Sequence, residues 1–106
     1  MKIPKSVRIG GVDYKIIQVP DLNDGNSILY GEINYGESII KINSNNQGEQ
    51  HQCIALWHEI LHGILEHANL EIEQDELLVS VLSKGIYQVL QDNAEKFFNT
   101  KEGDVI

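Results

Sequence analysis

The sequence of 106 residues is poor in cysteine and in basic residues. Its only cysteine, Cys53, cannot form a disulfide within the chain, which suits a reducing compartment. The 8 Lys and Arg residues stand against 16 Asp and Glu, so the net charge is -8. A chain this acidic, without a local basic cluster, binds a phosphate backbone poorly, and we expect no nucleic-acid partner.

Other absences narrow the class of protein further. No segment approaches the ~18–20 consecutive apolar residues of a membrane span, and the first residues lack the apolar core of a signal peptide. We therefore expect a cytoplasmic protein without membrane association. The sequence shows no Ser/His/Asp constellation, phosphate-binding loop or cysteine-rich metal motif, which argues against the corresponding chemistries.

The order of the predicted elements indicates an α+β domain, because strands come first and helices follow. Alternating apolar residues and turn-forming glycines predict strands at 7–9, 12–19, 28–34 and 38–43. Apolar residues at helical spacing predict helices at 50–69 and 75–93. The second helix is expected to face the core through Leu77, Leu78, Val81, Leu82, Ile86, Val89 and Leu90. We expect a single domain over residues 1–99 and a frayed tail over 100–106.

The first predicted helix carries the motif His58-Glu59-Ile60-Leu61-His62. Residues four apart on a helix differ in direction by about 40°, so both imidazoles leave the same face one turn apart. Two imidazole nitrogens in that arrangement can reach one metal ion at about 2.0–2.1 Å. Glu59 points about 100° away, where a carboxylate can take a proton from a metal-bound water. This is the H-E-x-x-H arrangement of zinc peptidases.

A catalytic zinc site usually has a third protein ligand. His67 lies nine positions after His58 and would point about 180° away on a continuous helix, so we expect a solvent-facing residue there. Carboxylates near the start of the second helix are better candidates, and the residue types leave four of them open: Glu71, Glu73, Asp75 and Glu76. The same residues also suit a helix N-terminus, where acidic side chains are favoured without any metal.

Several segments share a pattern with one peptidase family. They are residues 58–65, 76–79 and 82–93, preceded by Gly31-Glu32-Ile33 and by Ile39–Asn43. Over roughly residues 7–93 the chain resembles the short phage-type relatives of the ImmA/IrrE metallopeptidases, whose members often sit in prophages and mobile elements.

This resemblance implies a zincin-like fold with a small antiparallel β-sheet, a zinc-binding helix and a second packed helix. It implies Zn²⁺ bound by His58, His62 and Glu76, with Glu59 as the catalytic residue and a peptide or protein as substrate. It also implies that Ile39–Asn43 is the edge strand along which an extended substrate lies.

Two functional hypotheses follow. The first is a zinc metalloendopeptidase in which Glu59 acts as general base and then as general acid. The second is a zinc-containing regulatory or binding module of a phage or mobile element, without turnover. A weaker third hypothesis is an accessory protein without a metal. Of the other candidates, His51 is expected to line the cleft, whereas Tyr87, Trp57 and Cys53 are expected to serve packing.

Overall fold

A computed structural model describes residues 2–68 and 75–98 of the chain. Within these ranges the elements are β1 Ser6–Ile9, β2 Val12–Val19, β3 Gly31–Asn34, β4 Ile39–Asn43, α1 Glu49–His67 and α2 Glu76–Phe97. The predicted α+β class is confirmed. The predicted end of the first helix at Asn69, the carboxylates Glu71 and Glu73, and the tail 100–106 lie outside the described residues.

Two element boundaries differ from the prediction by three or more residues. The third strand is shorter because Ile28 belongs to the connecting loop, where it forms a single bridge to Asn23. α2 continues past the predicted end at residue 93, although the backbone of Asn93 is non-helical (φ -127, ψ 15). The Asn93 side chain donates a hydrogen bond of 2.9 Å to the Val89 carbonyl, a local contact that competes with the helical pattern.

A glycine pair makes the turn of the first hairpin. Gly10 and Gly11 have φ values of 58° and 81°, a left-handed conformation that glycine adopts without a steric penalty. A Cβ on Gly10 would also lie 2.5 Å from the side chain of His67, at the end of α1. The turn therefore needs glycine at Gly10 for two reasons, its backbone conformation and the close approach of the helix.

The sheet is mixed, which corrects the expected antiparallel topology. Its strand order is β1-β2-β4-β3. The outer pairs are antiparallel, but β2 and β4 run parallel, with Ile16 opposite Ile40. Parallel neighbours need a crossover connection of a dozen or more residues. Residues 20–38, which include β3, form that connection here.

The same strand order corrects the expectation that Ile39–Asn43 is an edge strand. β4 lies between β2 and β3, so its backbone is paired on both sides. Ile40 and Ile42 are both 0% exposed. An interior strand buries such side chains most completely. Full burial of each side chain stabilises the fold by about 1.5–3 kcal/mol. The sheet edges are β1 and β3.

The core lies between one face of the sheet and α1. The sheet contributes Ile9, Tyr14, Ile16, Ile40 and Ile42 to this core. α1 contributes Ala55, Leu56 and Ile60. Ile33 and Trp57 pack at its margin, and Cys53 is buried. The core therefore holds α1 on the sheet over the whole segment that carries the histidine motif.

Asn43, the last residue of β4, forms hydrogen bonds to the loop before β3 and to the loop before α1. It is fully buried, and its side-chain nitrogen donates 2.9 Å hydrogen bonds to the Leu29 carbonyl and to Asn46 Oδ1. Gln47 in turn donates to the carbonyl of Tyr30 at 2.9 Å. These bonds place the segments before β3 and before α1 side by side, where they form one wall of a cavity.

Most of the α2 residues that were predicted to face the core are exposed to solvent, so this prediction was wrong. The residues buried on α2 are Val79, Ser83 and Tyr87, one turn apart. The prediction was wrong because apolar residues occupy nearly the whole circumference of this helix, so periodicity could not select a side. Ser83 is small and fully buried, which allows close packing where α2 meets α1. In the described ranges, neither helix combines the length and the apolar character of a membrane span.

Candidate metal centre

α1 presents His58 and His62 side by side, as the four-residue spacing predicts. Their Nε2 atoms lie 3.1 Å apart, and their ring centroids are 4.8 Å apart. The core residues of the neighbouring turns, Leu56 and Ile60, fix the rotation of the helix. The histidine pair thus leaves α1 on the side where α2 packs.

α2 brings Glu76 to this pair. Glu76 Oε2 lies 3.1 Å from His58 Nε2, and Glu76 Oε1 lies 2.5 Å from His62 Nε2. Each of the three residues offers a ligand atom within 4.8 Å of the others. We call His58, His62 and Glu76 the metal cluster. No other group of three His, Cys, Asp or Glu residues comes this close in the part of the chain that is described.

The two described candidates for the third ligand, Asp75 and Glu76, make different contacts. Asp75 is the N-cap of α2, and its carboxylate accepts a hydrogen bond of 3.1 Å from the Leu78 amide, as cap residues commonly do. Glu76, the next residue, has its side chain turned to the histidines instead. Glu71 and Glu73 lie outside the described residues. Among the described carboxylates, Glu76 is the one that joins the histidine pair.

The donor set of the metal cluster fits a tetrahedral metal ion. Bonds of about 2.0–2.1 Å in tetrahedral geometry separate the ligand atoms by about 3.3–3.4 Å. The separations of 2.5–3.1 Å are shorter by less than 1 Å. Rotation of the Glu76 side chain, which is 69% exposed, can lengthen the two separations that involve its carboxylate. The His58–His62 separation of 3.1 Å is already close to the tetrahedral value. Two imidazoles and one carboxylate leave a fourth position for a water or a substrate atom.

The electrostatics of His58 favour the form that binds metals. Burial lowers the pKa of the His58 imidazole and His62 acts in the same direction, whereas Glu76 opposes the shift. A lowered pKa keeps the imidazole neutral near pH 7, so a nitrogen lone pair is available. Ser80 Oγ lies 3.5 Å from His58 Nδ1, on the ring edge away from Glu76. A proton on Nδ1 would face this oxygen and leave Nε2 for the metal.

Glu59 lies beside the metal cluster and is only 8% exposed. Burial raises the pKa of its carboxyl to about 7; His62 opposes the rise, and Glu76 and Glu32 add to it. A Cβ added at Gly31 would lie 3.0 Å from Glu59 Oε2, so β3 approaches the carboxylate closely. In the sequence, Gly31 is part of the shared pattern and was given no role beside Glu59, although a glycine in a strand is a known signal of close approach.

A cavity of about 550 Å³ opens next to these groups. His58, Glu59 and Glu76 line it together. Its other walls come from the loop and strand segments at Tyr30, Gly31, Asn46 and Gln47, and from α2 at Ser80, Ser83 and Lys84. His51 also lines the cavity, where its spacing of two turns from His58 predicts it. Tyr87 is buried and does not border the cavity.

His67 is exposed and is not part of the metal cluster, as predicted, and it also makes one contact that the sequence did not predict. Its Nε2 lies 2.7 Å from the hydroxyl of Tyr14, and the two rings meet edge to face at 5.8 Å. Burial raises the pKa of the Tyr14 hydroxyl, and Glu66 acts in the same direction. The end of α1 is thus held to the first hairpin.

Comparison of the chain with protein-family models, with curated proteins and with solved structures found no match.

Proposed function

We propose that this protein is a zinc-dependent metallopeptidase of the zincin type. The observation that carries the proposal is the position of Glu59, which lines the same cavity as His58 and Glu76 of the metal cluster. A site that only stabilises the fold needs ligands but no additional carboxylate beside an open position. The resemblance of the sequence to the ImmA/IrrE metallopeptidases supports the same reaction.

His58, His62 and Glu76 would hold the zinc ion, since two imidazoles and one carboxylate with an open position suit Zn²⁺. When bound, the ion would supply a Lewis acid that polarises the scissile carbonyl and lowers the pKa of a coordinated water. Glu59 would accept a proton from the attacking water on its carboxylate and then donate it to the leaving amine. The peptide bond is thereby hydrolysed to a carboxylate and an amine.

The substrate would lie along β3 rather than along β4. β3 is an edge of the sheet, and in the described part of the chain β4 is the strand that pairs with it. Its first residue, Gly31, lines the cavity, and a Cβ added there would lie 3.0 Å from Glu59 Oε2. An extended peptide added to this edge would bring its backbone past the catalytic carboxylate.

The cellular setting is part of the proposal. A single buried cysteine, Cys53, suits a reducing compartment, and we assign the protein to the cytoplasm of a host that carries it on a prophage or another mobile element. Its substrate would be a peptide or protein, such as a regulatory protein, presented as an extended segment.

The test compares the wild type with Glu59→Gln, each loaded with zinc, on a broad peptide library. The amide cannot accept the proton, so we expect cleavage to be slower by at least about 100-fold while zinc content stays the same. Glu49→Gln is the matched control, because Glu49 is an exposed carboxylate in the first turn of the same helix. Its activity should equal that of the wild type.

Two results would contradict the proposal at different points. Equal inactivity of wild type and Glu59→Gln, with zinc bound to both, would refute turnover and favour a zinc-containing binding module. Less than about a tenth of an equivalent of metal in protein purified under metal-replete conditions would refute both the peptidase and the zinc module.

A further inference from the structure

The cavity beside the metal cluster has one basic side chain in its lining, and the proposed reaction does not use it. Glu59 and Glu76 line the cavity as the proton carrier and as a metal ligand. Histidines aside, Lys84 is the third charged residue among the described residues of the lining. It lies on α2, one turn after Ser80 and two turns after Glu76. Lys84 therefore borders the space that a substrate would fill.

Basic residues are rare in the part of the chain that builds this site. The whole chain has 8 Lys and Arg residues against 16 Asp and Glu. Between Lys41 and Lys96, Lys84 is the only lysine, and no arginine occurs there. This interval carries the metal cluster and Glu59. The one cationic side chain of this interval is thus at the cavity.

Lys84 has no acidic partner among the described residues. The ion pairs in this part of the chain are made by Arg8, His58 and His62, and Lys84 takes part in none of them. A helical ion pair would use the positions three and four residues away on either side. Those positions are occupied by Ser80, Val81, Tyr87 and Gln88. Neither a helical nor a tertiary ion pair within the described ranges accounts for a lysine here.

The chemistry of lysine defines the group that it would bind. An ammonium offers three hydrogen-bond donors and no acceptor, so its strongest partner is an anion. Lys84 lies about 12 Å along the axis of α2 from Glu76. Helical side chains lean toward the N-terminus of their helix, which on α2 is the end that carries Glu76. Because an extended peptide advances about 3.3 Å per residue, this distance corresponds to roughly three residues of substrate.

We propose that Lys84 binds a carboxylate of the substrate and so determines specificity. The cavity would select peptides that carry an acidic group within about three residues of the scissile bond. This inference rests on the proposed function, because it takes the cavity as the peptide-binding site. The carboxylate belongs either to an Asp or Glu side chain or to the C-terminus of the peptide, and both offer the same oxygen acceptors.

The charge of the cavity permits an acidic group near Lys84. A bound Zn²⁺ ion would offset the charges of Glu59 and Glu76, so Lys84 would leave the lining with a net positive charge. The chain as a whole has a net charge of -8. Since the screening length is about 8 Å at physiological ionic strength, distant carboxylates act weakly inside the cavity. The selection of acidic peptides is therefore expected to be local.

Pairs of peptide hydroxamates test the proposal through binding rather than through turnover. The hydroxamate group binds zinc, and the peptide extends from it on either side of the scissile position. The members of a pair differ in a single group: Glu or Gln at one of the nearest residues, or a free or amidated C-terminus. Isothermal titration calorimetry with the zinc-loaded wild type should give at least about fivefold tighter binding of the acidic member in one or more pairs. The pairs that show this preference identify the source of the carboxylate.

Variants of Lys84 separate charge recognition from a structural effect. Lys84→Gln should bring the affinity ratio of the pair to within about twofold of one, whereas Lys84→Arg should keep the preference because it keeps the charge. Lys84→Glu should reverse the preference. In the wild type, the ratio should fall between about 0.05 and 0.5 M NaCl, since salt screens the pair. Lys96→Gln is the matched control, because it removes an exposed cation from the other end of α2, and it should keep the wild-type ratio.

The possible failures are distinguishable. Equal affinities for both members of every pair in zinc-loaded wild type would overturn the role of Lys84 and leave peptide hydrolysis standing. A preference that persists in Lys84→Gln would do the same. Absence of cleavage, with the preference present in the wild type and lost in Lys84→Gln, would refute turnover and support the carboxylate site. A protein that binds no zinc would overturn both proposals.

Discussion

Removal of the Glu76 carboxylate should remove most of the metal-induced stabilisation while leaving the metal-free fold nearly intact. Glu76 is 69% exposed and contacts two histidines. Exposed ion pairs contribute at most about 1 kcal/mol, so Glu76→Ala without metal should melt within a few degrees of the wild type. Loss of one of three ligands should weaken zinc binding by more than the roughly 10–100-fold that loss of an outer-shell partner costs.

The size of the thermal shift follows from mass action. At a free zinc concentration 100 times its dissociation constant, the wild type gains about 2.7 kcal/mol, or roughly 10–20 °C in Tm for a domain of this size. A dissociation constant raised 100-fold reduces the gain to about 0.4 kcal/mol, or roughly 2–3 °C. Differential scanning fluorimetry with and without zinc measures both values.

Glu95→Ala is the matched control for this experiment, because it removes an exposed carboxylate from the other end of α2. It should keep the full zinc-dependent shift. A Glu76→Ala variant that keeps the full shift would refute the assignment of the third ligand. If Glu73→Ala then lost it, the ligand would be Glu73.

Three further predictions concern neighbouring positions. Gly31→Ala should lower peptidase activity about 10–100-fold with unchanged zinc content, because its Cβ would lie 3.0 Å from Glu59 Oε2 and displace that carboxylate. Unchanged activity would contradict this close approach of β3 to Glu59. Burial raises the Cys53 pKa, so thiol labelling at pH 8 should be at least about 100-fold slower in native than in denatured protein; equal rates would refute this burial. Gly10→Ala should lower the free energy of unfolding by about 2–3 kcal/mol, more than Gly11→Ala does. Both glycines have positive φ, but a Cβ at Gly10 would also collide with His67 of α1. Equal losses of stability in urea titrations of the two variants would contradict the role of this collision.

Local spacing predicted the parts of this protein that depend on neighbouring residues. The interval between His58 and His62 places two imidazoles on one helix face wherever that helix packs. The glycines at 10 and 11 predicted the first hairpin, and strands followed by helices predicted the α+β class. These features are local because helix and turn geometry acts over four or five residues.

The choice between the candidate third ligands required the tertiary structure. Asp75 and Glu76 are adjacent in sequence and chemically alike, yet one caps α2 and the other reaches the histidines. Their roles differ because α2 packs on α1 through Val79 and Ser83, which fixes its rotation. Composition and spacing do not distinguish the two carboxylates as candidate metal ligands. In the sequence, the resemblance to the ImmA/IrrE metallopeptidases was the reason to prefer Glu76.

The sheet edge and the exposed side of α2 were also decided only by the tertiary structure. β4 has the apolar pattern of a strand in either position, but the crossover through β3 places it in the interior of the sheet. α2 is apolar on both sides, so its pattern alone could not choose which side meets α1. The sequence by itself therefore determined the pair of histidines on one helix face, whereas packing over long chain separations decided which carboxylate joins them, which strands form the edges of the sheet and which side of α2 is exposed.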